Sequence, residues 1–440
     1  MSTRAGFAQI DITPPLGTRK IGWLRDIVSD TILDPLYARV GVLESVGGML
    51  GFVQLDTLSI RWTQTNAIRR RLAEQYGVAG DHVMVSATHN HAGPAVANCG
   101  DVRRDEGYIE QLVDKVVAAF GQAMQDLQPA RVGIGRGVEF AVAHNRRVVL
   151  GDGTVRTHGN FEQPDALYIE GPIDPEVAVL AARGADGRLL GAIVNFACHP
   201  AHHGGGTALS AGYPGVVAAT MAEHGCPVTL FLNGAAGNLA TSDPCAGGAD
   251  MPMEEAGRRL ADGARDVIDR MTFRDTIRLG ARARTISLPY RELTEAELNG
   301  TVRGAQRFVD PAIYDRTMPA LVERIKTRGT QPAEVQVLFV DEYAFVGVPA
   351  EYFVELGLRI KEQAHPWHAL VVGWANGIVG YVPHRQAFVR GGYETTLTHS
   401  SRMAPEAGDM LADCAIELIR EQGTPVPTAA DKNAEAKNHF

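Results

Sequence analysis

The chain has 440 residues, of which 45% are hydrophobic and 21% are charged, and its formal net charge at pH 7 is −9. These proportions are ordinary for a globular protein. The negative charge argues against a nucleic-acid partner, which requires a basic surface to displace counterions, and against docking onto an anionic membrane.

The first residues and the cysteines indicate the cellular compartment of the protein. The start, MSTRAGFAQIDITPP, lacks the apolar run that a secretion signal requires. No stretch approaches about 18 uninterrupted apolar residues, so we predict no membrane span. The five cysteines are widely spaced and form no CxxC pair, which disfavours a zinc–thiolate cluster and a disulfide framework. We therefore expect a cytoplasmic protein.

Apolar periodicity and turn residues predict the elements in chain order. Two strands within 38–60 are joined by Gly47 and Gly48, a helix covers 63–76, and HVMVSAT is a short strand. The later predictions are helices at 106–126, 215–224, 254–270, 313–327, 351–364 and 406–422, and strands at 131–138, 190–197, 228–233, 277–288, 336–348 and 369–375.

Strands that alternate with helices predict an α/β fold, in which mixed or largely parallel β-sheets are covered by helices. We expect one domain over residues 1–422. The polar, Pro- and Ala-rich end, 423–440, is predicted to be a flexible tail.

The segment SATHNHAGP places His89 and His91 two positions apart at the end of an apolar strand. Side chains at i and i+2 of an extended segment point the same way, so both imidazoles could enter one cavity. A third histidine, His199, ends the run LGAIVNFAC. A His-x-His pair with a distant third histidine is a common zinc-binding pattern. Ser86 and Thr88 could orient the imidazoles by hydrogen bonds.

Less specific readings compete with this one. A single histidine at a strand end is more often structural, and His202 and His203 in the HHGGG loop are read as surface residues. In FLNGAAGNLA, small residues let the backbone approach a ligand or form a tight turn, and in LSAGYPG the Pro-Gly pair could be turn chemistry alone. From these loops and WANGIVGYVP we predict four substrate-binding residues, which are Tyr213, Asn233, Gly234 and Asn376.

Five collinear motifs resemble those of the neutral/alkaline, non-lysosomal ceramidases, which are zinc-dependent amidases. They are AGFAQIDITPPLG, SATHNHAGP, NFACHPA, VPAEYFVELGLRI and WANGIVGYVP, and they run from residue 5 to about 420. The resemblance implies the catalytic domain of that family and zinc as the cofactor.

The resemblance also implies roles for individual residues. The expected zinc ligands are His89, His199, Glu351 and Tyr381. His91 would contact substrate or the attacking water and transfer protons. Arg146 or Tyr381 would stabilise the developing oxyanion. Without the resemblance, Glu351 reads as a helix-start carboxylate, Tyr381 as a packed aromatic residue and Arg146 as a solvated charge.

Two departures from the family pattern affect the expected chemistry. Ala240 stands where the ceramidases carry a serine that has been discussed as a nucleophile, which favours attack by a metal-bound hydroxide over a serine acyl-enzyme. Gly212 replaces the acid of the family's Ser-Ala-Asp-Phe-Pro-Gly segment. The chain also ends where full-length ceramidases add a β-sandwich domain. We therefore expect a small, soluble amide, lactam or ester as the substrate.

Alternatives remain at this point. The same metal site could hydrolyse an ester or lactone, or catalyse elimination or isomerisation on a sugar-like compound. A non-catalytic scaffold that only binds a ligand is the second alternative. A homo-oligomer is left open, and the partner expected in every case is a small molecule.

Overall fold

The computed structural model describes residues 2–307 and 310–425. The predicted tail therefore lies, from residue 426 on, outside the described residues. The helices of the described part are α1 (Trp62–Tyr76), α2 (Glu106–Gln125), α3 (Gly212–Glu223), α4 (Met253–Arg270), α5 (Glu295–Asn299), α6 (Pro311–Arg328), α7 (Val354–Gln363), α8 (Arg385–Arg390) and α9 (Ala407–Glu421).

Many of the strands are short. In chain order those of the described residues are β1 (Arg4–Asp11), β2 (Arg19–Ile21), β3 (Ile27–Val28), β4 (Thr31–Ile32), β5 (Tyr37–Ser45), β6 (Gly48–Leu55), β7 (Val83–Ala87), β8 (Gly93–Pro94), β9 (Gln128–Val138), β10 (His144–Asn145), β11 (Arg147–Leu150), β12 (Val155–Thr157), β13 (Ala166–Ile169), β14 (Glu176–Gly184), β15 (Leu189–Phe196), β16 (Ala208–Leu209), β17 (Thr229–Asn233), β18 (Leu239–Ala240), β19 (Leu279–Pro289), β20 (Thr330–Val340), β21 (Tyr343–Gly347), β22 (Glu351–Tyr352), β23 (His368–Val372) and β24 (Tyr381–Val382).

The predicted helices all occur, with ends shifted by a few residues. The prediction for 336–348 as one strand is wrong, because the chain turns at Asp341, with φ 49°, and forms β20 and β21. The helix predicted from residue 351 begins at Val354, because Glu351 and Tyr352 pair with β24 instead. Strands β1 and β14 were not predicted.

Two sheets pack face to face between helical layers. The larger sheet has the order β17-β15-β14-β9-β1-β5-β6-β7, and the smaller has the order β19-β20-β21-β23. Two pairs of helices cover one face of the larger sheet: α1 with α2, and α3 with α4. The outer face of the smaller sheet is covered by α6, α7 and α9. Between the sheets, Phe52 meets Phe345 edge-to-face at 5.1 Å. The α/β class with mixed, helix-covered sheets is confirmed.

Strand β14 shows why the apolar runs are continuous. Val177 and Val179 face the helical layer, whereas Ala178 and Leu180 face the second sheet. Because both faces of β14 are covered, its side chains are apolar on either face and the strand shows no polar–apolar alternation. A largely parallel sheet is the wrong alternative, because five of the seven neighbouring pairs in the larger sheet are antiparallel.

The larger sheet curls so that its two edge strands approach each other. Residues 373–376, which we call the bridging segment, join these edges after β23. The Gly373 amide donates to the Asn233 carbonyl at the end of β17, and the Asn376 amide donates to the Val85 carbonyl in β7. The ends of β7, β15 and β17 consequently meet in one place. Among the described residues, no helix has the length and apolarity needed to cross a membrane.

Candidate metal centre and active site

The two histidines of SATHNHAGP converge through a turn and not through strand geometry. Strand β7 ends at Ala87, and His89 has a left-handed φ of 68°. The Nε2 atoms of His89 and His91 are 3.1 Å apart. The extended-strand argument for this pair is therefore wrong, although the two imidazoles do meet. A left-handed backbone at a residue other than glycine is strained, and such strain often occurs at functional sites.

His199 completes what we call the histidine cluster, namely His89, His91 and His199. It follows β15 with 1% of its surface exposed, and its Nε2 lies 2.9 Å from that of His89. One ring nitrogen from each of the three histidines lies within 4.8 Å of the others. The structure thus brings together residues that are 110 positions apart.

Backbone carbonyls set the protonation of two of these rings. The Nδ1 atom of His89 lies 2.8 Å from the Leu58 carbonyl oxygen, and that of His199 lies 2.9 Å from the Ala236 carbonyl oxygen. A carbonyl only accepts, so each Nδ1 donates its proton and the Nε2 atoms of the neutral rings present lone pairs. Two lone pairs facing each other repel unless a cation lies between them.

This arrangement fits a metal ion. Two nitrogens bound tetrahedrally to zinc, each about 2.0–2.1 Å from the ion, are about 3.3 Å apart, close to the spacings in the cluster. The predicted orienting groups are different, because backbone carbonyls hold the rings and the Ser86 hydroxyl lies 3.4 Å from the Val53 carbonyl.

Glu351 brings a carboxylate to the same point. Its Oε2 lies 3.3 Å from His89 Nε2 and 3.7 Å from His199 Nε2. Its amide donates to the Gly380 carbonyl, and its strand pairs in parallel with β24, where Tyr381 is its direct partner. Imidazole nitrogens and carboxylate oxygens are all zinc ligands.

Tyr381 and Arg146 form one wall of the site. The Tyr381 ring is nearly parallel to that of His199, with centroids 6.4 Å apart. Its hydroxyl accepts from the Arg146 guanidinium at 3.2 Å, and the same nitrogen donates to the Gly237 carbonyl at 2.8 Å. All predicted catalytic and metal-binding residues therefore lie together, while their individual roles remain predictions.

Burial controls the charges in this site. It lowers the pKa values of His91 and His199 well below the usual range, and neighbouring imidazoles and Arg146 lower them further. Burial also opposes the charge of Arg146, but Tyr381 and Glu394 outweigh it and raise the pKa of the guanidinium. His91 and His199 are consequently neutral at pH 7, as metal binding requires.

Glu394 is a functional candidate that the sequence analysis missed. Its carboxylate is fully buried and accepts from Arg146 Nε at 3.0 Å, from Arg147 at 2.8 Å and from the Thr157 hydroxyl at 2.6 Å. Burial would raise its pKa, but the two arginines hold it at about 2. Glu394 therefore fixes the guanidinium that contacts Tyr381. No local pattern marks this glutamate, because its partners are more than 230 residues away.

Trp374 was also missed. Its side chain is fully buried and stacks on His89, with ring centroids 4.3 Å apart and planes 20° apart. It lies in the bridging segment with φ 49°. The residues Trp-Ala-Asn of that segment belong to the WANGIVGYVP motif, which is the sequence feature that could have identified Trp374 as a candidate.

The four predicted substrate-binding residues lie near the cluster but have structural contacts. The Tyr213 hydroxyl donates to the Cys198 carbonyl at 2.7 Å. The Asn233 amide group donates to the Thr88 carbonyl at 3.0 Å. Asn376 accepts from the Val85 amide and donates to Gln336, and the Gly234 amide donates to the Phe196 carbonyl. These contacts support the framework, so the structure does not favour substrate binding by these groups.

The glycines of FLNGAAGNLA permit close packing against the protein and not against a ligand. A Cβ at Gly237 would lie 2.4 Å from the Glu351 carbonyl oxygen, and one at Gly234 would lie 2.8 Å from the Ala197 Cβ. Ala240, at the position of the family serine, is buried in β18 opposite His144. It offers no nucleophile to the site.

Glu355 lies on α7 behind the site, and we expect its substitution to change the stability of the fold. Its carboxylate accepts from the Asn238 amide group at 2.9 Å and lies 3.7 Å from His384 Nε2. Burial raises its pKa to about 7. Since this value exceeds that of the unfolded chain, ionisation destabilises the fold increasingly as the pH rises from about 4.5 to 7. We expect Glu355→Gln to raise the free energy of unfolding at pH 8 by about 1–3 kcal/mol.

Urea denaturation at pH 5 and pH 8 checks this expectation. The gain should shrink at pH 5, where the buried carboxyl is protonated. Glu362→Gln, an exposed position on the same helix, is the matched control and should change stability little at either pH. Equal effects of Glu355→Gln at both values would show that its ionisation does not matter.

Comparisons with known proteins agree with this architecture. No protein-family model matches the chain. The neutral ceramidase of Pseudomonas aeruginosa is 25% identical over 90% of this chain and 68% of its own length. The crystal structure of a neutral ceramidase from that organism matches with a TM-score of 0.75 and 22% identity over 97% of this chain and 76% of the other. A ceramidase complexed with C2 matches with a TM-score of 0.73 and 21% identity, over 98% and 77% of the two chains.

The fold and the histidine cluster thus define an α/β domain with a candidate metal centre. The comparisons specify it further as a neutral-ceramidase-like catalytic domain, which confirms the resemblance found in the sequence motifs.

Proposed function

We propose that this chain is a zinc-dependent hydrolase that cleaves an amide or lactam C–N bond of a small, soluble substrate. The observation that carries the proposal is the convergence of the histidine cluster with the Glu351 carboxylate, in which His89 and His199 direct unprotonated nitrogens at one point. The reaction class follows from the relatives, whose names denote ceramidases.

The residues that would hold zinc are His89, His199, Glu351 and Tyr381. A zinc ion bound there would act as a Lewis acid and lower the pKa of a bound water to about 7. Proton transfer is assigned to His91, whose ring belongs to the cluster and is neutral at pH 7. A neutral imidazole can take a proton from the attacking water and return it to the leaving nitrogen.

Arg146 is assigned to the negative charge that develops on the carbonyl oxygen. Its guanidinium is buried and ionised, and Glu394 and the Gly237 carbonyl hold it in place. A preorganised charge in a site that excludes water stabilises an oxyanion strongly. The Tyr381 hydroxyl, 3.2 Å from the guanidinium, would support the same oxygen.

Polar residues on a loop beside the histidine cluster favour a polar substrate, since a Cβ at Gly204 in that loop would lie 3.1 Å from the His91 Cβ. His202 Nε2 lies 2.9 Å from the Met251 carbonyl oxygen, and the Asn160 amide group donates to the Gly247 carbonyl at 2.9 Å. Exposed polar residues on these loops include His158, His203 and Asp250. We therefore expect a higher kcat/KM for soluble N-acyl amides than for ceramide presented in micelles. The cytoplasmic location stays part of the proposal.

Turnover in oxygen-18 water tests the reaction class. We expect one oxygen-18 atom in the released carboxylate, detected by mass spectrometry, and about one zinc ion per chain by elemental analysis. Addition of a chelator should abolish turnover, and zinc should restore it. An unlabelled product would exclude hydrolysis and favour elimination or isomerisation. A protein that binds no zinc would contradict the proposal that the enzyme is zinc-dependent.

A further inference from the structure

Two segments of the chain meet behind the histidine cluster. One is the turn of residues 236–238, which we call the carbonyl turn, and the other is residues 351–355, at the start of α7. The Gly237 amide donates to the Tyr352 carbonyl at 2.8 Å, and a Cβ at Gly237 would lie 2.4 Å from the Glu351 carbonyl oxygen. The two backbones are therefore in direct contact beside a predicted zinc ligand.

The carbonyl turn orients two groups of the site through three successive carbonyl oxygens. The Ala236 oxygen lies 2.9 Å from His199 Nδ1. The next two oxygens accept from Arg146, that of Gly237 from the guanidinium at 2.8 Å and that of Asn238 from the amide at 3.0 Å. A displacement of the turn would consequently move a metal-binding imidazole and the guanidinium together.

The Asn238 side chain fastens the carbonyl turn to α7. It is fully buried, and its Oδ1 accepts from the Val354 amide at 2.9 Å. The first amides of a helix have no partner within the helix, and Phe353, which precedes α7, provides no side-chain cap. Asn238 therefore caps α7 from a position 116 residues away in the chain.

Glu355 holds the other end of the Asn238 side chain. Its two carboxylate oxygens accept from Asn238 Nδ2 at 2.9 and 3.2 Å. The Val354 amide and the Glu355 carboxylate together fix which way the Asn238 side chain faces, because one only donates and the other, when ionised, only accepts. A continuous set of hydrogen bonds thus runs from α7 through Asn238 to the carbonyl turn.

We infer that Asn238 and Glu355 are positioning residues of the metal centre, which hold the carbonyl turn so that His199 keeps its metal-binding orientation and Arg146 keeps its place. The inference rests on the proposed function for the identity of the metal. It extends the site to a pair of residues that act through the groups they hold.

The Glu355→Met substitution tests the inference, because it removes the carboxylate and keeps an unbranched side chain of similar length. We expect its zinc affinity, measured by competition with a chelating dye at pH 8, to fall about tenfold. This is the lower end of the range found when groups that orient metal ligands are removed. Glu355→Gln keeps an acceptor for Asn238 and should bind zinc nearly as tightly as the wild-type protein.

The melting temperature separates this effect from unfolding. Burial opposes the charge of Glu355 and raises its pKa to about 7, so Glu355→Met removes an unfavourable buried charge together with the hydrogen bond. These two effects oppose each other, and the melting temperature at pH 8 should change little. Glu362→Met, at an exposed position of the same helix, is the matched control and should change neither zinc affinity nor melting temperature.

Cobalt(II) in place of zinc gives a second measurement, because its visible absorption depends on the coordination geometry. Glu355→Met should alter this spectrum. Glu355→Gln and the Glu362→Met control should reproduce the spectrum of the wild-type protein. A change of spectrum in a folded protein reports reoriented ligands, which a loss of stability alone does not produce.

Asn238→Ala and the double variant show whether Glu355 acts through Asn238. The single substitution should weaken zinc binding at least as much as Glu355→Met. In the double variant, Glu355→Met should cause no further loss, because the carboxylate has already lost its partner. Such a double-mutant cycle measures the coupling of the two residues directly, and additive losses would overturn the inference.

The outcomes distinguish this inference from the proposed function. Wild-type zinc affinity and an unchanged cobalt spectrum in Glu355→Met would overturn the inference and leave the proposed function intact. Equal losses in Glu355→Met and Glu355→Gln would also overturn it, because it attributes the effect to the hydrogen bond. Zinc binding that depends on Glu355, without hydrolysis of any amide, would support the inference and contradict the proposed function. A wild-type protein that binds neither metal would overturn both.

Discussion

Replacement of His199 by alanine should remove the metal and nearly all activity. His199 supplies one of the two Nε2 lone pairs that face each other at 2.9 Å, and no nearby group replaces it in the variant. Removal of a mere supporting partner of a ligand commonly costs 10–100-fold in metal affinity or activity, so loss of a ligand itself should exceed about a hundredfold. Elemental analysis and kcat/KM measure both effects, and His89→Ala should behave in the same way.

His224→Ala is the matched control. This histidine lies at the end of α3, is 30% exposed, and its Nε2 is 3.6 Å from Asp262. The control should keep its zinc and its activity. Retention of full zinc content and activity by both His89→Ala and His199→Ala would refute the metal centre, whereas circular dichroism identifies any loss that arises from unfolding.

Glu394→Gln should destabilise the fold strongly. The substitution removes one of the two carboxylates that balance Arg146 and Arg147, and Glu394 is 0% exposed. Loss of one partner from a buried ion pair costs about 3–5 kcal/mol, because the remaining charge is buried without compensation. Urea denaturation at pH 7 should show this loss in the free energy of unfolding.

The same variant should lose activity beyond its loss of stability. Without the Glu394 charge, Arg146 keeps only its contacts with the Gly237 carbonyl and the Tyr381 hydroxyl, and its guanidinium is held less firmly. We therefore expect kcat to fall by about 10–100-fold, the range found when groups that orient metal ligands are removed. Glu417→Gln removes an exposed carboxylate that pairs with Arg284 and should cost less than about 1 kcal/mol. If Glu394→Gln and Glu417→Gln lose a similar free energy of unfolding, the buried ion pairs of Glu394 do not stabilise the fold.

Local patterns in the chain were sufficient for the elements and the main chemical groups. Apolar spacing of 3.6 residues identified α2, α4 and α9, because each buries one side against a sheet. The histidines were identifiable because SATHNHAGP and NFACHPA combine a metal-binding residue type with the end of an apolar strand. Glu351 and Tyr381 required the family resemblance, since a single carboxylate or phenol carries no local signal.

Other features could not be read from local patterns. Strand β14 was not predicted, because its apolar run, EVAVLAARG, is rich in alanine and a short apolar run without periodicity suits a buried helix as well as a strand. The framework roles of Asn233 and Asn376 depend on the approach of the two edges of the larger sheet, and the bridging segment creates that approach only in the folded chain.

By itself, the sequence determined the α/β class, the helices, the histidines and the relationship to the ceramidases, because each of these depends on residue type within a short window or on motif order. Only the tertiary structure decided which further groups orient and support the residues of that site. It set the tautomers of His89 and His199 through distant carbonyls, and it placed Glu394 and His158 beside Arg146. These outcomes depend on contacts between residues far apart in the chain, which form when the edges of a twisted sheet meet.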